Sequence, residues 1–328
     1  GKAIRSIDHI DASVQYKQDI HREHDVGNPV QKMSDGTFTI AIENQLDITK
    51  KLLLNTGASF NNRSSITAQN YNSSTKQMSD YPSNNNNAVN VQGALQYDIN
   101  RGNVVSFSMA RKTRFATTKD RYSYRMGTAI PNPDLEAEYA LNYNLSYKGS
   151  FLDNSVKLYA SAFYSNIYNT ILSVQNVAYD TASQTSLSQL QNVGKTRNQG
   201  FELAADYQVT HYFLVGVNYT YIHLKNITNP SIYLTDVPKD KLFAYVQYAY
   251  KNIFSLQLNG EYDSKRFSTT YGTVADAFTL FNTRIKVHVW KPFSVEGGVN
   301  NIFDKNYALT EGYPEPGRNY FANLVYHL

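Results

Sequence analysis

The chain of 328 residues contains no cysteine. This absence excludes a disulfide framework, a thiolate metal site and a cysteine nucleophile. Long apolar runs are also lacking: no window holds eighteen consecutive apolar residues, which excludes a transmembrane helix. Charged residues make up only 18% of the chain and the formal net charge is +4. Since these charges are scattered, nucleic acid is not expected as the main partner.

Motifs of the common enzyme classes are missing as well. The sequence has no Gly-x-Ser-x-Gly elbow, no Walker lysine loop, no dinucleotide-binding glycine pattern and no His-Glu-x-x-His. His21 and His24 lie close together, but positions three apart on a strand point to opposite faces. A polar loop edge is therefore favoured over a metal site. We expect a protein that is not an enzyme and that binds no metal and no cofactor.

Tyrosine is abundant, with 27 Tyr beside 16 Phe and a single Trp. A tyrosine ring is apolar and its hydroxyl is polar, which suits a boundary between lipid and water. The mean hydropathy of −0.47 is in the range of soluble proteins. It does not exclude a transmembrane β-barrel, because the polar inner face of a barrel offsets its lipid face.

Apolar and polar residues alternate along most of the chain, which is the period of a β-strand. In segment 135–147 the odd positions are leucine, alanine or tyrosine, and the even positions are mostly glutamate, asparagine or serine. Such a strand extends about 43 Å at roughly 3.3 Å per residue. Strands of globular proteins average about 5–6 residues, whereas a tilted strand that crosses a bilayer needs about 9–11. The length therefore favours a membrane-spanning strand.

Fourteen strands are predicted, at residues 7–20, 37–48, 51–60, 88–100, 103–112, 135–148, 155–170, 191–209, 212–224, 239–250, 253–262, 277–290, 293–303 and 318–328. Short turns at 49–51, 100–103, 149–154, 210–211, 251–252 and 291–292 alternate with long loops at 21–36, 61–87, 113–134, 171–190, 225–238, 263–276 and 304–317. This alternation and the even strand count are typical of outer-membrane barrels. The predicted fold class is all-β: a transmembrane antiparallel up-and-down β-barrel of about 14 strands. Its last strand is expected to close on its first.

Four segments resemble motifs in the C-terminal barrel of TonB-dependent outer-membrane receptors. Segment 131–138 is similar to the Asn-Pro-x-Leu-x-Pro-Glu stretch of that family, with Ala137 in place of the usual proline, through Asn132, Pro133, Leu135 and Glu138. Segment 192–207 resembles its Asn-x-x-x-x-Arg-x-x-Gly-x-Glu strand opening through Asn192, Arg197, Gly200 and Glu202. Segment 299–309 resembles its penultimate-strand signature through Asn301, Phe303, Asp304 and Tyr307. The Pro-Glu-Pro-Gly-Arg sequence before the final strand, which ends with Gly317 and Arg318, matches the family's ending.

The resemblance implies a bacterial outer-membrane protein with both termini in the periplasm. It also implies a receptor or transport barrel for uptake of a scarce nutrient, of siderophore, cobalamin or haem type. The expected partners are a small-molecule ligand, outer-membrane lipid and lipopolysaccharide. Contact with TonB is expected only through an N-terminal part that residues 1–328 do not include.

The chain departs from the family pattern in three ways. No plug domain or TonB-contacting box is found, so residues 1–328 are expected to be one domain, the C-terminal part of a barrel. The predicted strands number fourteen, fewer than the 22 of outer-membrane transporters. The last residue is Leu328, where the family usually has Phe or Trp.

The segment 110–125 is rich in arginine and lysine and contains one acidic residue, Asp120. It resembles a family loop that folds toward the ligand, so the candidate ligand-binding residues are Arg111, Arg114, Arg121 and Arg125. A cationic opening would steer anionic ligands, such as a ferric catecholate or a phosphate-bearing compound. The alternatives are contact with lipopolysaccharide phosphates and a simply solvated loop, and the solvated loop is favoured.

Two other functions stay open. The first is an autonomous fourteen-stranded porin that conducts passively and has no coupling to a ligand. The second is a soluble β-sandwich binding module, which is disfavoured because all of its apolar strand faces would have to cover one another.

Overall fold

The computed structural model describes residues 8–251, 253–290 and 292–326. Position 7 and positions 327–328 of the predicted terminal strands, including Leu328, lie outside the described residues, as do turn positions 252 and 291. Helical structure in the described ranges consists of one turn, α1 (Thr118–Tyr122), and a 3-10 turn at Arg125–Gly127. Neither these turns nor any other described segment forms a helix that is long and apolar enough to cross a membrane.

Within the described residues, fourteen long strands form one antiparallel sheet in which neighbours in the chain are neighbours in space. They are β1 (Asp8–Glu23), β2 (Gln31–Thr49), β3 (Leu52–Asn72), β4 (Asn85–Asn100), β5 (Asn103–Arg114), β6 (Glu138–Phe151), β7 (Val156–Tyr168), β8 (Thr196–Thr210), β9 (Phe213–Asn226), β10 (Asp240–Tyr250), β11 (Phe254–Asp263), β12 (Phe278–Trp290), β13 (Phe293–Asn300) and β14 (Asn319–Tyr326). A short strand, Gln77–Asp80, extends β3 as a hairpin. The number and order of the strands confirm the prediction.

Shorter strands lie in the connections. Ile171–Asp180 and Thr185–Asn192 form a hairpin, to which Ala129–Ile130 adds in parallel. Two smaller pairs are Arg266–Phe267 with Val274–Ala275, and Ala308–Thr310 with Tyr313–Pro314. All of these lie between long strands, so the connections have regular structure of their own.

Side chains of the main sheet alternate between an apolar face and a polar face. In β8, Phe201 and Leu203 lie on the apolar face and Glu202 lies on the polar face, and register partners in β7 and β9 share these faces. The apolar face is uncovered: Leu203 is 47% exposed and Leu145 is 53% exposed. Soluble monomers rarely expose contiguous apolar surface of this extent, so this face requires an apolar surrounding such as lipid.

The two ends of the sheet differ in their connections. At one end, which we call the turn end, the fully described connections are 50–51, 101–102, 152–155 and 211–212. At the opposite end, the loop end, the connections are 24–30, 73–84, 115–137, 169–195, 227–239, 264–277 and 301–318. The predicted alternation of short and long connections is therefore confirmed. Because the strand number is even, β1 begins and β14 ends at the turn end.

Strands β1, β2 and β3 extend further toward the loop end than predicted. The predicted loops 21–36 and 61–87 shrink to 24–30 and 73–84. The extended parts pair in register across the three strands, for example Asp19 with Asp35 and Asp35 with Ser65. Apart from Met33, Ile66, Ala68 and Tyr71 these residues are polar, so no regular apolar alternation distinguishes them from a loop.

The predicted closure of the barrel is not found. Among the described residues, β1 pairs only with β2 and β14 pairs only with β13, which leaves one free edge at each side of the sheet. Period-two patterning determines which face a residue occupies and which strands pair. It does not determine strand tilt and stagger, on which closure depends. Backbone groups on a free edge are costly in lipid.

These free edges generate a prediction for the chain refolded in detergent and added to a planar lipid bilayer. We expect no steady, discrete single-channel steps, because unpaired edges in lipid make an unstable wall. Conductance recordings check this, with protein-free detergent as the control. Discrete open steps of one size would contradict it and would show that β1 and β14 pair in the membrane.

Candidate functional site

The loop 115–137, between β5 and β6, folds over the polar face of the sheet. Helix α1 in this loop begins with a capping box: Asp120 N donates to Thr117 Oγ1 at 3.1 Å and Thr117 N donates to Asp120 Oδ2 at 3.0 Å. The helix carries Arg121 and Tyr122 against β2 and β3, where both side chains are fully buried. The loop therefore covers part of the polar face at the loop end.

Asp35, Arg63 and Arg121 form a buried ion cluster beneath α1. Arg63 Nη1 lies 3.0 Å from Asp35 Oδ2, and Arg121 Nη2 pairs with the same oxygen. The three side chains are at most 3% exposed. One carboxylate thus pairs with two guanidinium groups, one from a strand and one from a loop helix, and the three side chains together keep a single positive charge. Removing one partner of a buried pair typically costs about 3–5 kcal/mol, so Asp35 helps to hold the loop in place, together with the hydrogen bond from Arg63 Nη1 to the Ala116 carbonyl.

Neutral groups add hydrogen bonds to this ion cluster, while Nε of Arg63 and Nε of Arg121 are buried without a hydrogen-bond partner among the described residues. Arg121 Nη1 donates to Tyr122 Oη at 2.6 Å and to Ser65 Oγ at 3.0 Å. Arg63 Nη2 donates to Asn84 Oδ1 at 2.6 Å, and Asn84 Nδ2 donates to the Pro133 carbonyl at 2.9 Å. Buried charges need such additional hydrogen bonds to remain ionised at acceptable cost. The network also connects β3 to the far end of the loop.

Aromatic groups pack beside the ion cluster. The Tyr122 ring stacks on the Tyr81 ring at a centroid distance of 5.2 Å, against buried Met33. Burial, followed by the negative charges of Asp25 and Glu23, raises the pKa of Tyr124 to about 12. This phenol therefore stays protonated well into the alkaline range.

A second set of contacts joins loop 115–137 to loop 169–195. Asn192 Oδ1 accepts from Glu136 N at 3.0 Å, and Asn192 Nδ2 donates to the carbonyls of Glu136 and Asn169 at 3.2 and 2.8 Å. Asn132 Nδ2 donates to the Leu190 carbonyl at 2.8 Å. We call Asn132, Glu136 and Asn192 the loop latch. Because the latch uses backbone groups on both sides, it fixes the two loops as one unit.

The predicted motif residues of segment 131–138 stabilise this unit. Leu135 is fully buried against Ala116 and Ile171. The Pro133 carbonyl accepts from Asn84, as described above. Glu138 accepts from Arg114 Nε at 2.6 Å and from Ile171 N at 2.9 Å. The motif therefore binds loop to loop and loop to strand.

The motif residues of β8 lie on both faces of the sheet. Arg197 lies on the apolar face, where its guanidinium is 5.2 Å from the Tyr164 ring centroid and Nε donates to Asn166 Oδ1 at 3.3 Å. Glu202 lies on the polar face. A Cβ added to Gly200 would overlap the Tyr221 carbonyl oxygen and lie 2.8 Å from the Phe163 ring. Only glycine allows this close approach.

The motif residues near the last two strands form a closed loop. Asn301 and Asp304 both have left-handed backbone, φ 52 and φ 54, which Asn and Asp tolerate better than most residues. Asn301 accepts from Lys305 N and Asp304 accepts from Arg318 N, at 2.8 and 2.7 Å. A Cβ on Gly317 would lie 2.6 Å from Asp304 Oδ1. The motif therefore fixes the entry into β14.

The two aromatic residues of this motif have different surroundings. Phe303 is 73% exposed and meets Phe281 edge to face at 5.4 Å on the apolar face. Tyr307 packs against buried Phe278 at 4.5 Å. Burial, followed by the charges of Glu315 and Glu261, raises the pKa of Tyr307.

The four arginines predicted as ligand-binding residues are not brought together. Arg111 lies on the apolar face over the Tyr139 ring at 4.5 Å. Arg114 lies on the polar face and pairs with Glu138 and Asp120. Arg121 is in the ion cluster, and Arg125 is exposed in the 3-10 turn. The structure therefore shows no single cationic opening formed by these four side chains.

The cluster members Asp35 and Arg63 were missed by the sequence reasoning. Both fall in segments that were predicted as loops, and they are 28 positions apart. For Arg111 and Arg114 the sequence did indicate that the two side chains would not share a site, because positions three apart on a strand point to opposite faces. For Asp35 and Arg63 the sequence offers no such signal.

A cavity of about 420 Å³ opens at the loop end beside β9. Its lining includes apolar Leu224, Leu234 and Val237, together with Lys265 and buried Arg266. Arg266 pairs with Asp263 at 2.7 Å. An apolar wall with a few fixed charges is the usual character of a small-molecule site.

A two-faced antiparallel sheet of long strands, with an uncovered apolar face and connections sorted by length, defines the wall of a transmembrane β-barrel. The profile described as "TonB dependent receptor-like, beta-barrel" matches residues 9–302. The chain belongs to this family of outer-membrane receptor barrels.

Relatives and solved structures agree with this assignment. The chain is 27% identical over 238 residues to the vitamin B12 transporter BtuB of Photobacterium profundum, which covers 72% of the chain and 37% of the relative. It is 25% identical over 202 residues to a probable TonB-dependent siderophore receptor, PiuA of Acinetobacter baumannii, which covers 56% of the chain and 25% of the relative. The fold is similar to that of the copper transporter OprC, with a TM-score of 0.82 and 16% identity over 97% of the chain and 54% of that structure.

The chain thus spans about half of the solved structure OprC and less than half of these curated relatives. All three relatives are named as transporters or receptors, which agrees with the expectation of a protein that is not an enzyme. The family assignment also argues against the soluble β-sandwich alternative.

The ion cluster generates a prediction about the substitution Asp35→Asn. Loss of the carboxylate leaves two buried guanidinium groups without a counter-charge, so we expect the free energy of unfolding to fall by about 3–5 kcal/mol. Urea unfolding in detergent, together with the rate of tryptic cleavage in loop 115–137, measures the effect. Glu296→Gln, in the partly exposed Arg284–Glu296 pair, is the control and should change the free energy by about 1 kcal/mol or less. Equal effects of the two substitutions would contradict the prediction.

The loop latch generates a prediction about Asn192→Ala. Three hydrogen bonds are lost, so we expect faster hydrogen exchange in 129–130 and 171–192, with opening easier by roughly 1–3 kcal/mol. Exchange in β8 should stay unchanged. Gln175→Ala, which removes one exposed bond to Ser173 in the same hairpin, is the matched control. Unchanged exchange in both loops would show that the latch does not hold them.

Proposed function

We propose that the chain forms the wall of an outer-membrane receptor that takes up a scarce nutrient of the siderophore, cobalamin or haem class. The observation that carries this proposal is the family match over residues 9–302. The geometry of the loop end supports it. Loops 115–137 and 169–195 are fixed to each other and to the polar face by buried contacts, as a receptor needs for a preformed binding surface.

We propose that the loop end faces the exterior of the cell and that the turn end, with both chain ends, faces the periplasm. Short turns on the periplasmic side and longer loops outside are the arrangement found in outer-membrane barrels. In this orientation the ion cluster and the cavity beside β9 lie at the external opening. A ligand that arrives from outside would meet the cavity beside β9 and the loops that cover the buried ion cluster first.

A small-molecule ligand is supported by the cavity and by the names of relatives. The ferric enterobactin receptor PfeA of Pseudomonas aeruginosa, solved in complex with enterobactin, has a TM-score of 0.75 at 15% identity over 98% of this chain and 52% of that structure. Other relatives are named for vitamin B12 and for copper. The names differ in ligand, so the ligand class of this chain has to be found by experiment.

We further propose that residues 1–328 act as one barrel domain and that contact with TonB belongs to a more N-terminal part of a longer protein. The alternative function is an autonomous fourteen-stranded porin. The free edges of β1 and β14 favour a wall that further strands complete. Outer-membrane lipid and lipopolysaccharide are the proposed partners of the apolar face.

The test is disruption of the gene in its own bacterium. We expect growth to be lost on one ligand class only, among ferric siderophores under iron chelation, haem as the iron source, and vitamin B12 in a cobalamin-dependent background. A plasmid copy should restore growth. The measurement is the growth rate under each condition, with uptake of the labelled ligand as a second readout.

A different pattern of growth and uptake would contradict the proposed receptor function. Unchanged uptake of every ligand, together with slower permeation of unrelated small solutes, would favour the porin. The Asp35→Asn and Glu296→Gln copies extend the test. If the Asp35→Asn copy alone takes up the ligand more slowly, and both variant proteins are present in the outer membrane in equal amounts, the ligand would lie next to loop 115–137.

A further inference from the structure

Loops 227–239 and 264–277 form a second joined pair at the loop end. Tyr233 N donates to the Thr270 carbonyl at 2.9 Å, and Asp236 N donates to the Phe267 carbonyl at 2.8 Å. The rings of Tyr233 and Phe267 stack at a centroid distance of 4.1 Å. Both loops line the cavity of about 420 Å³, together with the ends of β9 and β10. Because backbone hydrogen bonds fix the two loops to each other, the cavity is preformed.

Most of the cavity wall is apolar. Ile222 and Leu224 belong to β9, Leu234 and Val237 to loop 227–239, and Val274 to loop 264–277. The volume is near the lower end of the range of about 300–1,000 Å³ that is usual for ligand pockets. At about 30 Å³ for each water-sized group, a ligand of roughly ten to fifteen non-hydrogen atoms fills it. The wall therefore favours a small molecule with an apolar body.

Positive charge is in excess at this cavity. Lys239, Lys265 and Arg266 line it, and among the described lining residues the one carboxylate is that of Asp240. This carboxylate already accepts from the Tyr219 hydroxyl at 2.7 Å. Within the described ranges, no carboxylate lies within 4.0 Å of Lys239 or Lys265. A ligand with one negative charge would match this lining.

Arg266 adds a fixed donor that is not fully used. Its side chain is 6% exposed, and Nη2 donates to Asp263 Oδ2 at 2.7 Å. Asp263 also has Lys241 Nζ at 3.8 Å from Oδ1. Arg266 Nε is buried without a hydrogen-bond partner among the described residues, and an unpaired buried donor is costly. Since Arg266 lines the cavity, a ligand oxygen bound there can accept from its guanidinium.

We propose that the cavity beside β9 binds a small apolar carboxylate. The apolar body of the ligand lies against Leu234, Val237 and Val274, and its carboxylate accepts from Arg266 and pairs with Lys265. The carboxylate belongs either to a free acid or to an acidic arm of a larger ligand, and the contact is the same for both. This assignment rests on the receptor function proposed above and names the chemical class that the cavity selects.

The test uses the whole 328-residue chain in detergent, with 2-naphthoate as the probe and 2-naphthamide as its uncharged counterpart. Isothermal titration calorimetry gives an apparent Kd for each probe, with protein-free detergent micelles as the baseline. We expect 2-naphthoate to bind about tenfold more tightly than 2-naphthamide or better, because hydrogen bonds and ion pairs with a carboxylate are stronger than those with a neutral amide.

A double variant removes the arginine without leaving an unpaired buried charge. Asp263→Asn/Arg266→Gln replaces both members of the buried pair, which costs less stability than the loss of one member. We expect it to bind 2-naphthoate about tenfold more weakly or worse. The matched control is Arg284→Gln/Glu296→Gln, which replaces a partly exposed arginine–carboxylate pair on β12 and β13 with the same change in charge. The control should bind as the unmodified chain does.

A single variant keeps the test decisive if the double variant fails to fold. Lys265 is exposed, so Lys265→Gln leaves the buried groups in place. We expect this variant to bind 2-naphthoate about two- to fivefold more weakly and to bind 2-naphthamide unchanged. An unchanged Kd for 2-naphthoate would overturn the assignment even without a result from the double variant.

Two further outcomes would overturn the assignment. Equal affinity of the unmodified chain for 2-naphthoate and 2-naphthamide would show that the cavity does not recognise a carboxylate. Equal binding of 2-naphthoate by the Asp263/Arg266 and Arg284/Glu296 variants would show that the probe binds elsewhere. Binding is measured on the purified chain, so lost binding with intact nutrient uptake would overturn this assignment alone, and unchanged uptake after gene disruption would overturn the receptor function.

An uptake competition identifies the source of the carboxylate. Bacteria that carry the intact gene are given the labelled nutrient that the growth test identifies, with and without an excess of 2-naphthoate. Slower uptake in the presence of 2-naphthoate would show that the cavity holds an acidic arm of that nutrient. Equal uptake, with 2-naphthoate still bound by the purified chain, would show that the cavity holds a free acid.

Discussion

Antiparallel backbone pairing between chain neighbours is the constraint on which the rest of this structure depends. In lipid each backbone N–H and C=O must find a partner within the protein, and the strands from β1 to β14 meet this requirement by pairing in chain order, except along the free edges of β1 and β14. Paired strands fix the register, and register decides which side chains share a face. The apolar face, the polar face and the sorting of connections into turns and loops all follow from that arrangement.

The loop end uses the polar face as a surface on which loops fold. Asp35 is available there because β2 presents it on the polar side, opposite Ser65 of β3. Helix α1 then brings Arg121 to it across a separation of 86 residues. A buried charge cluster of this kind favours one loop position over others, because any alternative leaves a guanidinium unpaired. The loop latch adds the hairpin 171–192 to the same rigid unit.

The strand number and the sorting of connections could be predicted, because lipid on one side and water on the other produce a strong period-two pattern. The ends of β2 and β3 could not, since their side chains are mostly polar and their few apolar residues do not alternate regularly. Closure also could not, because tilt and stagger leave no mark in the pattern. At the site, Leu135 and Glu138 were recognised by motif, whereas Asp35 and Arg63 were not. Their contact arises because the polar ends of β2 and β3 pair with each other, and no local sequence pattern predicts that pairing.

The loop latch has a consequence for exchanging loops between members of this family. Asn192 belongs to one loop and makes all its side-chain contacts with backbone groups of Glu136 and Asn169. A chimaera that receives only segment 115–137 from a relative would replace the Asn132 side chain, which donates to the Leu190 carbonyl of the other loop. Segments 115–137 and 169–195 therefore form one cassette, to be transplanted together with the part of β3 that carries Arg63.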